Sequence, residues 1–485
     1  MPNQAAGLSY AVRFPVLGKY FGQLCLVVAA LTMLPLMVSL LDGETQTTIR
    51  YGVVISILAA LGGLLGRMQV PADVQVNEAM VIVALMFLFT PLIMTFPIMG
   101  SGLGFSDAFF EAVSGATTTG LSTLTSVEDS SRTLLFARAW MQWYGGLGIV
   151  VLSLALLFRP GMTAKRFAVT EGREEDLVGG TKAHARRVLV VYGLLTGAGI
   201  LLLSITGAGP FDALLYTMAS VSTGGFAPHD GSLAALGGLG TQLSVVLVCV
   251  AGAVPLGFYH RWYKGARRAA TDAPQVWGLL LTCAVASLLL GFCMSVTEGM
   301  EWKEALHHAL VLAFSAQTTA GFSSMDLAQL DGSSKLVLIV AMAVGGGAGS
   351  TAGGMKILRM LIVLNLLRVV LRRAGSSKHA VVKPFVAGRR LQEEELQEAL
   401  LIILLFVAVT LFSWLPFLLM GYDPLDSLFE VVSATGTVGL SVGVTGAEMP
   451  VLLKGVLCAD MLLGRLEMFA WLLMLAPGTW VGRRL

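Results

Sequence analysis

Ten stretches of mostly apolar sequence, most of them about twenty residues or more, the length a helix needs to cross a bilayer, govern what this chain can become. They lie near 23–41, 51–66, 79–98, 134–158, 187–206, 240–259, 276–296, 336–371, 397–420 and 452–476. In hydrocarbon every backbone N–H and C=O must find its partner within the protein, so these runs are expected to be helices. The fold class that follows is an all-α multi-spanning membrane protein with ten transmembrane helices. Only 13% of the 485 residues are charged, against roughly a quarter in soluble domains. The net charge of +2 gives no case for a nucleic-acid partner. Arg13 and Lys19 precede the first run without a cleavage pattern, so a retained helix is expected there. The five cysteines (Cys25, Cys249, Cys283, Cys293, Cys458) sit in or beside apolar runs and suggest no disulfide framework or zinc site.

Four shorter half-apolar stretches, near 107–118, 212–223, 303–318 and 426–437, are too short to cross and are expected to be re-entrant. Ser106-Asp107, Pro210-Phe211-Asp212 and Asp423-Pro424-Leu425-Asp426 are helix-start signals. Positive charge crowds three connections: Arg159, Lys165, Arg166, Arg173, Lys182, Arg186 and Arg187; then Arg261, Lys264, Arg267 and Arg268; then Arg368, Arg372, Arg373, Lys378, Lys383, Arg389 and Arg390. The opposite loops carry only Arg132, Lys303, Lys335 and Lys454. The positive-inside rule places the basic connections and both termini in the cytoplasm, and the re-entrant stretches on the outer side.

The chain also repeats itself. Each re-entrant stretch ends in Thr-x-Gly, then Leu or Phe, then Ser or Ala: Thr118-Thr119-Gly120-Leu121-Ser122, Thr223-Gly224-Gly225-Phe226-Ala227, Thr319-Ala320-Gly321-Phe322-Ser323 and Thr437-Val438-Gly439-Leu440-Ser441. The glycines are 105, 96 and 118 residues apart (225 − 120, 321 − 225, 439 − 321). Thirteen positions before the glycine stand Asp107, Asp212, His308 and Asp426, and six before it Ser114, Ala219, Ser315 and Ser433. The unit of about a hundred residues therefore reads span, short helix, glycine loop, span. Two helices over 1–74 precede four units at 75–180, 181–270, 271–390 and 391–485.

A cation crossing a bilayer must exchange its water for protein oxygens, and rings of backbone carbonyls do this for K⁺. Glycine lets the backbone adopt the turns that aim such carbonyls at one axis. The C-terminal end of each short helix adds a partial negative charge. One copy of the pattern is merely a turn; four copies on one side of the membrane point to a filter, with K⁺ as the expected ion and no organic cofactor.

The eighth run contains Gly345-Gly346-Gly347-Ala348-Gly349-Ser350-Thr351-Ala352-Gly353-Gly354-Met355-Lys356. Glycine costs a helix about 1 kcal/mol per residue, so two halves near 336–344 and 357–371 are expected, joined by a loop inside the membrane. Beneath the filter such a loop is a gate. Gly349 and Gly354 have Walker A spacing, but Met355 intervenes before Lys356 and no Ser or Thr follows the lysine. Arg465 and Glu467 lie deep in the last run, where an ionisable group costs about 3 kcal/mol and is functional by default. Either they form a structural pair, with each other or with a neighbour, or Arg465 faces the pore and limits cation flux. Asp460 has no second carboxylate to make an enzyme site, and His260, His307 and His308 have no metal spacing.

The four loops, Gln142-Trp143-Tyr144-Gly145-Gly146-Leu147-Gly148, the 349–356 stretch and Gly464-Arg465-Leu466-Glu467 together resemble the Trk/Ktr/HKT superfamily of cation transporters, most closely its bacterial TrkH branch. The resemblance covers nearly the whole chain. It implies K⁺ held at the filter by Thr118, Thr119, Gly120, Thr223, Gly224, Gly225, Thr319, Ala320, Gly321, Thr437, Val438 and Gly439. It implies a gate built from Gly345, Gly346, Gly347, Gly349, Ser350, Thr351, Gly353, Gly354, Lys356 and Arg465. It further implies a homodimer in membrane lipid, in the bacterial inner membrane, regulated by a cytosolic TrkA-type nucleotide-binding ring. Family members that prefer Na⁺ often carry serine at the first glycine, so Gly120 favours K⁺. The fourth loop is closer to the Ktr pattern. Symport with Na⁺ or H⁺, or a less selective transporter, are the alternatives to a gated K⁺ pathway.

Overall fold

The structure, a computed structural model, describes residues 11–71, 74–157, 177–263, 265, 273–374, 385–386 and 389–481. Arg159, Lys165, Arg166, Arg173, Lys264, Arg267, Arg268, Lys378 and Lys383, expected in the cytoplasmic connections, lie outside the described residues.

The first two helices, α1 (Phe14–Leu41) and α2 (Thr45–Leu65), form a hairpin. Lipid tails are as apolar as leucine, so such helices hold together by close packing at small residues. A Cβ at Gly22 would stand 2.7 Å from the Gly66 nitrogen, and one at Gly62 would overlap Leu26. Glu78, fully buried near the start of α3 (Val76–Ile98), accepts from Arg13 Nε at 2.7 Å and ties this hairpin to the rest.

The remaining helices come in four sets. The first is α3, α4 (Phe105–Ala116) and α5 (Arg132–Leu157). The second is α6 (Leu177–Ile205), α7 (Pro210–Val221), α8 (Leu239–Ala253) and α9 (Leu256–Tyr263). The third is α10 (Ala273–Thr297), α11 (Trp302–Gln317), α12 (Gly332–Val344) and α13 (Ile357–Ala374). The fourth is α14 (Glu393–Leu419), α15 (Pro424–Thr435), α16 (Val451–Arg465) and α17 (Phe469–Leu475), followed by a last turn, α18 (Pro477–Trp480). Between α13 and α14, β1 (Phe385–Val386) pairs antiparallel with β2 (Arg389–Arg390).

Local signals start these helices. Asp423 caps α15, accepting from Leu425 N at 2.9 Å and Asp426 N at 3.0 Å, with Pro424 in the first turn. Asp331 caps α12 through Ser333 N at 3.1 Å, and that bond holds its carboxyl below the usual range.

Six of the described helices are long and apolar enough to cross a membrane: α1, α2, α3, Ala185–Ile205 of α6, α10 and α14; α8 with α9 adds a seventh, bent by 85°. The other expected runs differ for physical reasons. The 240–259 run breaks at Val254, which precedes Pro255 and is driven out of helical geometry (φ −76°, ψ 141°). The 336–371 run stops at Val344 and resumes at Ile357. The 452–476 run breaks where Glu467 and Met468 turn left-handed at φ 52° and 62°. Among the described residues the fully buried positions concentrate on the four short helices, and the main core joins Phe110, Tyr216, Val311 and Val431 from all four.

Candidate functional site

Each short helix ends in a threonine with left-handed backbone: Thr118 (φ 53°), Thr223 (52°), Thr319 (55°) and Thr437 (50°). Two residues on, Gly120, Gly225, Gly321 and Gly439 are left-handed too, at 96°, 81°, 72° and 97°. The residue between is not. Alternating hand turns successive carbonyls toward one side of the chain instead of opposite sides. For a β-branched threonine this conformation costs on the order of 1–3 kcal/mol and persists only where the surroundings impose it. Here it recurs four times. The intervening amide closes on the helix end in every copy: Thr119 N to Ser114 O at 2.9 Å, Gly224 N to Ala219 O at 2.7 Å, Ala320 N to Ser315 O at 2.8 Å and Val438 N to Ser433 O at 2.8 Å.

The four loops meet one another in cyclic order. A Cβ at Gly120 would overlap the Gly224 carbonyl oxygen, one at Gly225 the Ala320 oxygen, one at Gly321 the Val438 oxygen, and one at Gly439 the Thr119 oxygen. The first loop thus abuts the second, the second the third, the third the fourth, and the fourth the first. The ring is closed. Only glycine fits, both for its left-handed φ and for the neighbouring carbonyl.

Two residues that brace the loops escape the repeat pattern. Glu111 and Glu430, both fully buried, stand nine positions before the first and fourth glycines. Glu111 accepts from Ser122 Oγ at 2.6 Å, Thr123 N at 2.8 Å and Arg138 Nε at 2.9 Å. Glu430 accepts from Ser441 Oγ at 2.6 Å, Val442 N at 2.9 Å and Thr445 Oγ1 at 2.6 Å. The equivalent positions are Tyr216 and Leu312, and there the second and third loops lean on each other, with Leu233 N to Ser323 O at 2.9 Å and Ser323 N to Ser232 Oγ at 3.2 Å. Ser114 and Ser433 Oγ accept from the Gly120 and Gly439 amides, each at 3.0 Å. Gln142 on α5 donates to the Gly224 carbonyl at 2.5 Å and accepts from Phe226 N at 3.1 Å, fastening the second loop to α5.

The 345–356 segment lies directly against the helix-end side of the ring. Gly353 N donates to Thr319 Oγ1 at 2.7 Å and Gly354 N to Gly436 O at 3.0 Å. Thr351 Oγ1 reaches Val221 O at 2.9 Å and Gly252 O at 3.0 Å. Gly347 N donates to Ala253 O at 2.9 Å, and Gln317 Nε2 to Gly345 O at 2.7 Å. Gly345, Gly349, Gly354 and Lys356 are left-handed, and a Cβ at Gly346 or Gly347 would meet Ala352 or Pro255 at 2.5 and 2.7 Å. Ser350 Oγ closes the turn on Gly347 O at 2.6 Å, and Lys356 Nζ donates to Ala352 O.

Arg465 joins this layer, donating to Thr351 O at 2.9 Å and Gly145 O at 3.3 Å. It does not pair with Glu467, whose carboxylate takes Arg359 instead. The left-handed break at Glu467 turns the two side chains apart. Asp460 lies apart from the ring, accepting from Ser413 Oγ at 2.5 Å. His307 and His308 bond Gln242 and Ser324 at 3.0 and 2.9 Å, and no metal cluster occurs among the described residues.

A second set of contacts joins neighbouring units at the other end of the short helices. Lys454 of the fourth unit bonds Asp107 of the first at 2.6 Å, and Lys335 of the third bonds Asp426 of the fourth at 2.6 Å. Gln242 meets His307, and the Arg132 guanidinium lies 5.8 Å from the Phe211 ring centroid.

Comparison with known proteins bears on this arrangement. The model of the family described as TrkH, cation transport protein, matches residues 45–258 and 274–479. An uncharacterized cation transporter of Methanocaldococcus jannaschii is 29% identical, covering 94% of both chains. The Trk system potassium uptake protein TrkI of Halomonas elongata is 29% identical over 96% of both. The crystal structure of the potassium transporter TrkH from Vibrio parahaemolyticus superposes with a TM-score of 0.84, covering 97% of this chain and 100% of that one at 23% identity. That likeness establishes a shared, nearly all-helical membrane fold.

Proposed function

The chain belongs to the TrkH family of cation transport proteins, a transporter and not an enzyme, and on that premise we propose that it takes up K⁺ through the ring of four glycine loops. The observation that carries this reading is the closure of the ring: each glycine abuts the carbonyl of the next loop, through all four. Such a collar offers neutral main-chain oxygens to an ion that has shed its water, and irregular backbone at membrane depth is stable only when it lines such a path or is buried. The related potassium uptake proteins support K⁺ as the ion.

In this reading two N-terminal helices precede four span–short helix–span units, ten spans in all, with broken helices completing the spans that fall short. The protein lies in a bacterial inner membrane with both termini cytoplasmic. The 345–354 loop with Lys356 and Arg465 gates the inner end of the ring. A second copy of the chain and a TrkA-type nucleotide-binding ring are its partners.

The test is complementation of a K⁺-uptake-deficient bacterium at low K⁺. Wild type restores growth, whereas Gly120→Ser restores it with relaxed discrimination between K⁺ and Na⁺. Absence of rescue by wild type at confirmed membrane expression overturns the reading.

A further inference from the structure

The position nine residues before each glycine and the one just after it meet across the seams of the ring. Between the second and third loops the contact is direct, the Tyr216 and Phe322 ring centroids lying 5.8 Å apart. Between the third and fourth, Leu312 and Leu440 share one apolar cluster. Between the first and second the same two positions hold Glu111 and Phe226, and there a third side chain touches both. Arg138 of α5 donates from Nε to Glu111 at 2.9 Å, and its guanidinium carbon lies 3.9 Å from the Phe226 ring centroid. Arg138, Glu111 and Phe226 are all buried.

Stability does not call for an arginine at this seam. Taking a guanidinium and a carboxylate out of water costs about as much as their attraction returns, and neutral groups of similar volume often serve as well. The fourth unit is the example, where Glu430 accepts from the Thr445 hydroxyl with its second oxygen. Hydrogen bonding does not call for it either, since Arg138 Nη1 has no partner among the described residues. What a guanidinium adds is a flat, rigid face that stacks on an aromatic ring. One turn along α5, Gln142 holds Gly224 O and Phe226 N. Helix α5 therefore grips the second loop by backbone and by ring, and the first loop through Glu111.

We infer that Arg138 is a positioning residue that determines ion specificity: its guanidinium, seated between Glu111 and Phe226, fixes the spacing of the first and second loops. The inference rests on the permeation reading above and adds which side chain sets its discrimination. Whether alkali ions are sorted by size or by the field of the carbonyls, those carbonyls must keep their places. A seam that slackens lets two of the four loops drift, and the ring then accommodates ions of other radii. Lysine at 138 keeps the charge and can reach Glu111, but it offers the ring no plane. Leucine at 226 leaves the ion pair and removes the ring, and the first and fourth loops already carry leucine at that position, Leu121 and Leu440.

The experiment measures the reversal potential of the reconstituted full chain under opposed K⁺ and Na⁺ gradients, for wild type, Arg138→Lys, Phe226→Leu, Phe226→Tyr and the double variant Arg138→Lys with Phe226→Leu. Each of Arg138→Lys and Phe226→Leu is expected to lower the K⁺/Na⁺ permeability ratio about tenfold, the scale of one desolvated cation–π contact. The double variant is expected to match either single one, because the two side chains act as a unit. Phe226→Tyr, which keeps the aromatic face, retains the ratio. A wild-type ratio in Phe226→Leu, or losses that multiply in the double variant, overturns the assignment. Phe226→Leu decides the matter even where Arg138→Lys does not fold, since it leaves the ion pair in place. Rubidium-tracer flux on the same vesicles separates this inference from the reading beneath it. Flux in the wild type with an undiminished ratio in Phe226→Leu refutes only the role of Arg138, and absence of flux in the wild type refutes the permeation reading and this role with it.

Discussion

Replacing Glu430 by alanine removes a carboxylate that fastens three residues of the fourth loop after its glycine. The carboxylate accepts from Ser441 Oγ, Val442 N and Thr445 Oγ1, and among the described residues no cationic side chain pairs with it. The two hydroxyls can turn to other acceptors, but the Val442 amide is fixed by the backbone and buried, and an unpaired buried N–H costs about 1–3 kcal/mol. Loss of the two charge-assisted hydroxyl bonds adds to this, so the loop geometry loses about 3 kcal/mol of support. A loop freed by that amount samples other carbonyl orientations, and discrimination between ions of different radius falls by a factor on the order of ten or more, each 1.4 kcal/mol being tenfold. Glu430→Gln keeps the shape: its carbonyl oxygen accepts from Val442 N and Ser441 Oγ as Oε1 does, and Thr445 Oγ1 alone reverses to accept from its amide. The assay is the reversal potential of the reconstituted protein under opposed K⁺ and Na⁺ gradients. Glu430→Ala lowers the K⁺/Na⁺ permeability ratio, and Glu430→Gln retains most of it. A wild-type ratio in Glu430→Ala would refute the reasoning; equal loss in both variants would mean that charge, not bonding geometry, holds the loop.

Further outcomes follow from other contacts. Lys454→Met leaves Asp107 without its cation at the seam where the fourth and first units meet without a covalent link. Partial exposure of Asp107 discounts the 3–5 kcal/mol expected for a fully buried pair, so a loss of about 2 kcal/mol is expected, read as a lower melting midpoint in detergent. The exchange Asp107→Lys with Lys454→Asp recovers part of it. Arg465→Ala removes two bonds to Thr351 O and Gly145 O and a fixed positive charge beside the loop. Single-channel recording is expected to give larger unitary conductance, and unchanged currents at equal surface expression contradict this. Gly321→Ala places a Cβ into the Val438 carbonyl at a left-handed φ of 72°. It abolishes tracer flux while the protein still elutes as the wild type does on gel filtration, and retained flux would show that the ring tolerates widening.

Much of this was legible in the chain because the signals are local. The short helices begin near Asp107, Pro210, Trp302 and Pro424 and end at the threonines, where charge, proline and the recurrent Thr-x-Gly mark them. The glycine run at 345–354 foretells the break after Val344, since a helix cannot carry so many residues without side chains. The break at Val254 also had its signal, Pro255, which the length of the apolar run concealed. Long-range causes were not legible. Nothing in Arg465-Leu466-Glu467-Met468 forbids a helix. That span breaks where a Cβ at Gly464 would overlap the Thr435 carbonyl, and where Glu467 pairs with Arg359, 108 residues earlier. Of the alternatives the sequence leaves open, a pair between Arg465 and Glu467 does not form for that reason, whereas a pair with a neighbour does, Glu467 with Arg359. Glu111 and Glu430 are hidden from the fourfold pattern because a carboxylate occupies that position in only two of the four copies. Their signal is a carboxylate nine residues before a glycine, with a serine two residues after it, in the first and fourth units only.

The most direct measurement is anomalous diffraction from crystals of the full chain in rubidium in place of K⁺. A peak on the axis of the ring, among the carbonyls of Thr119, Gly224, Ala320 and Val438, is the predicted result. Rubidium bound elsewhere with none on that axis would contradict the account.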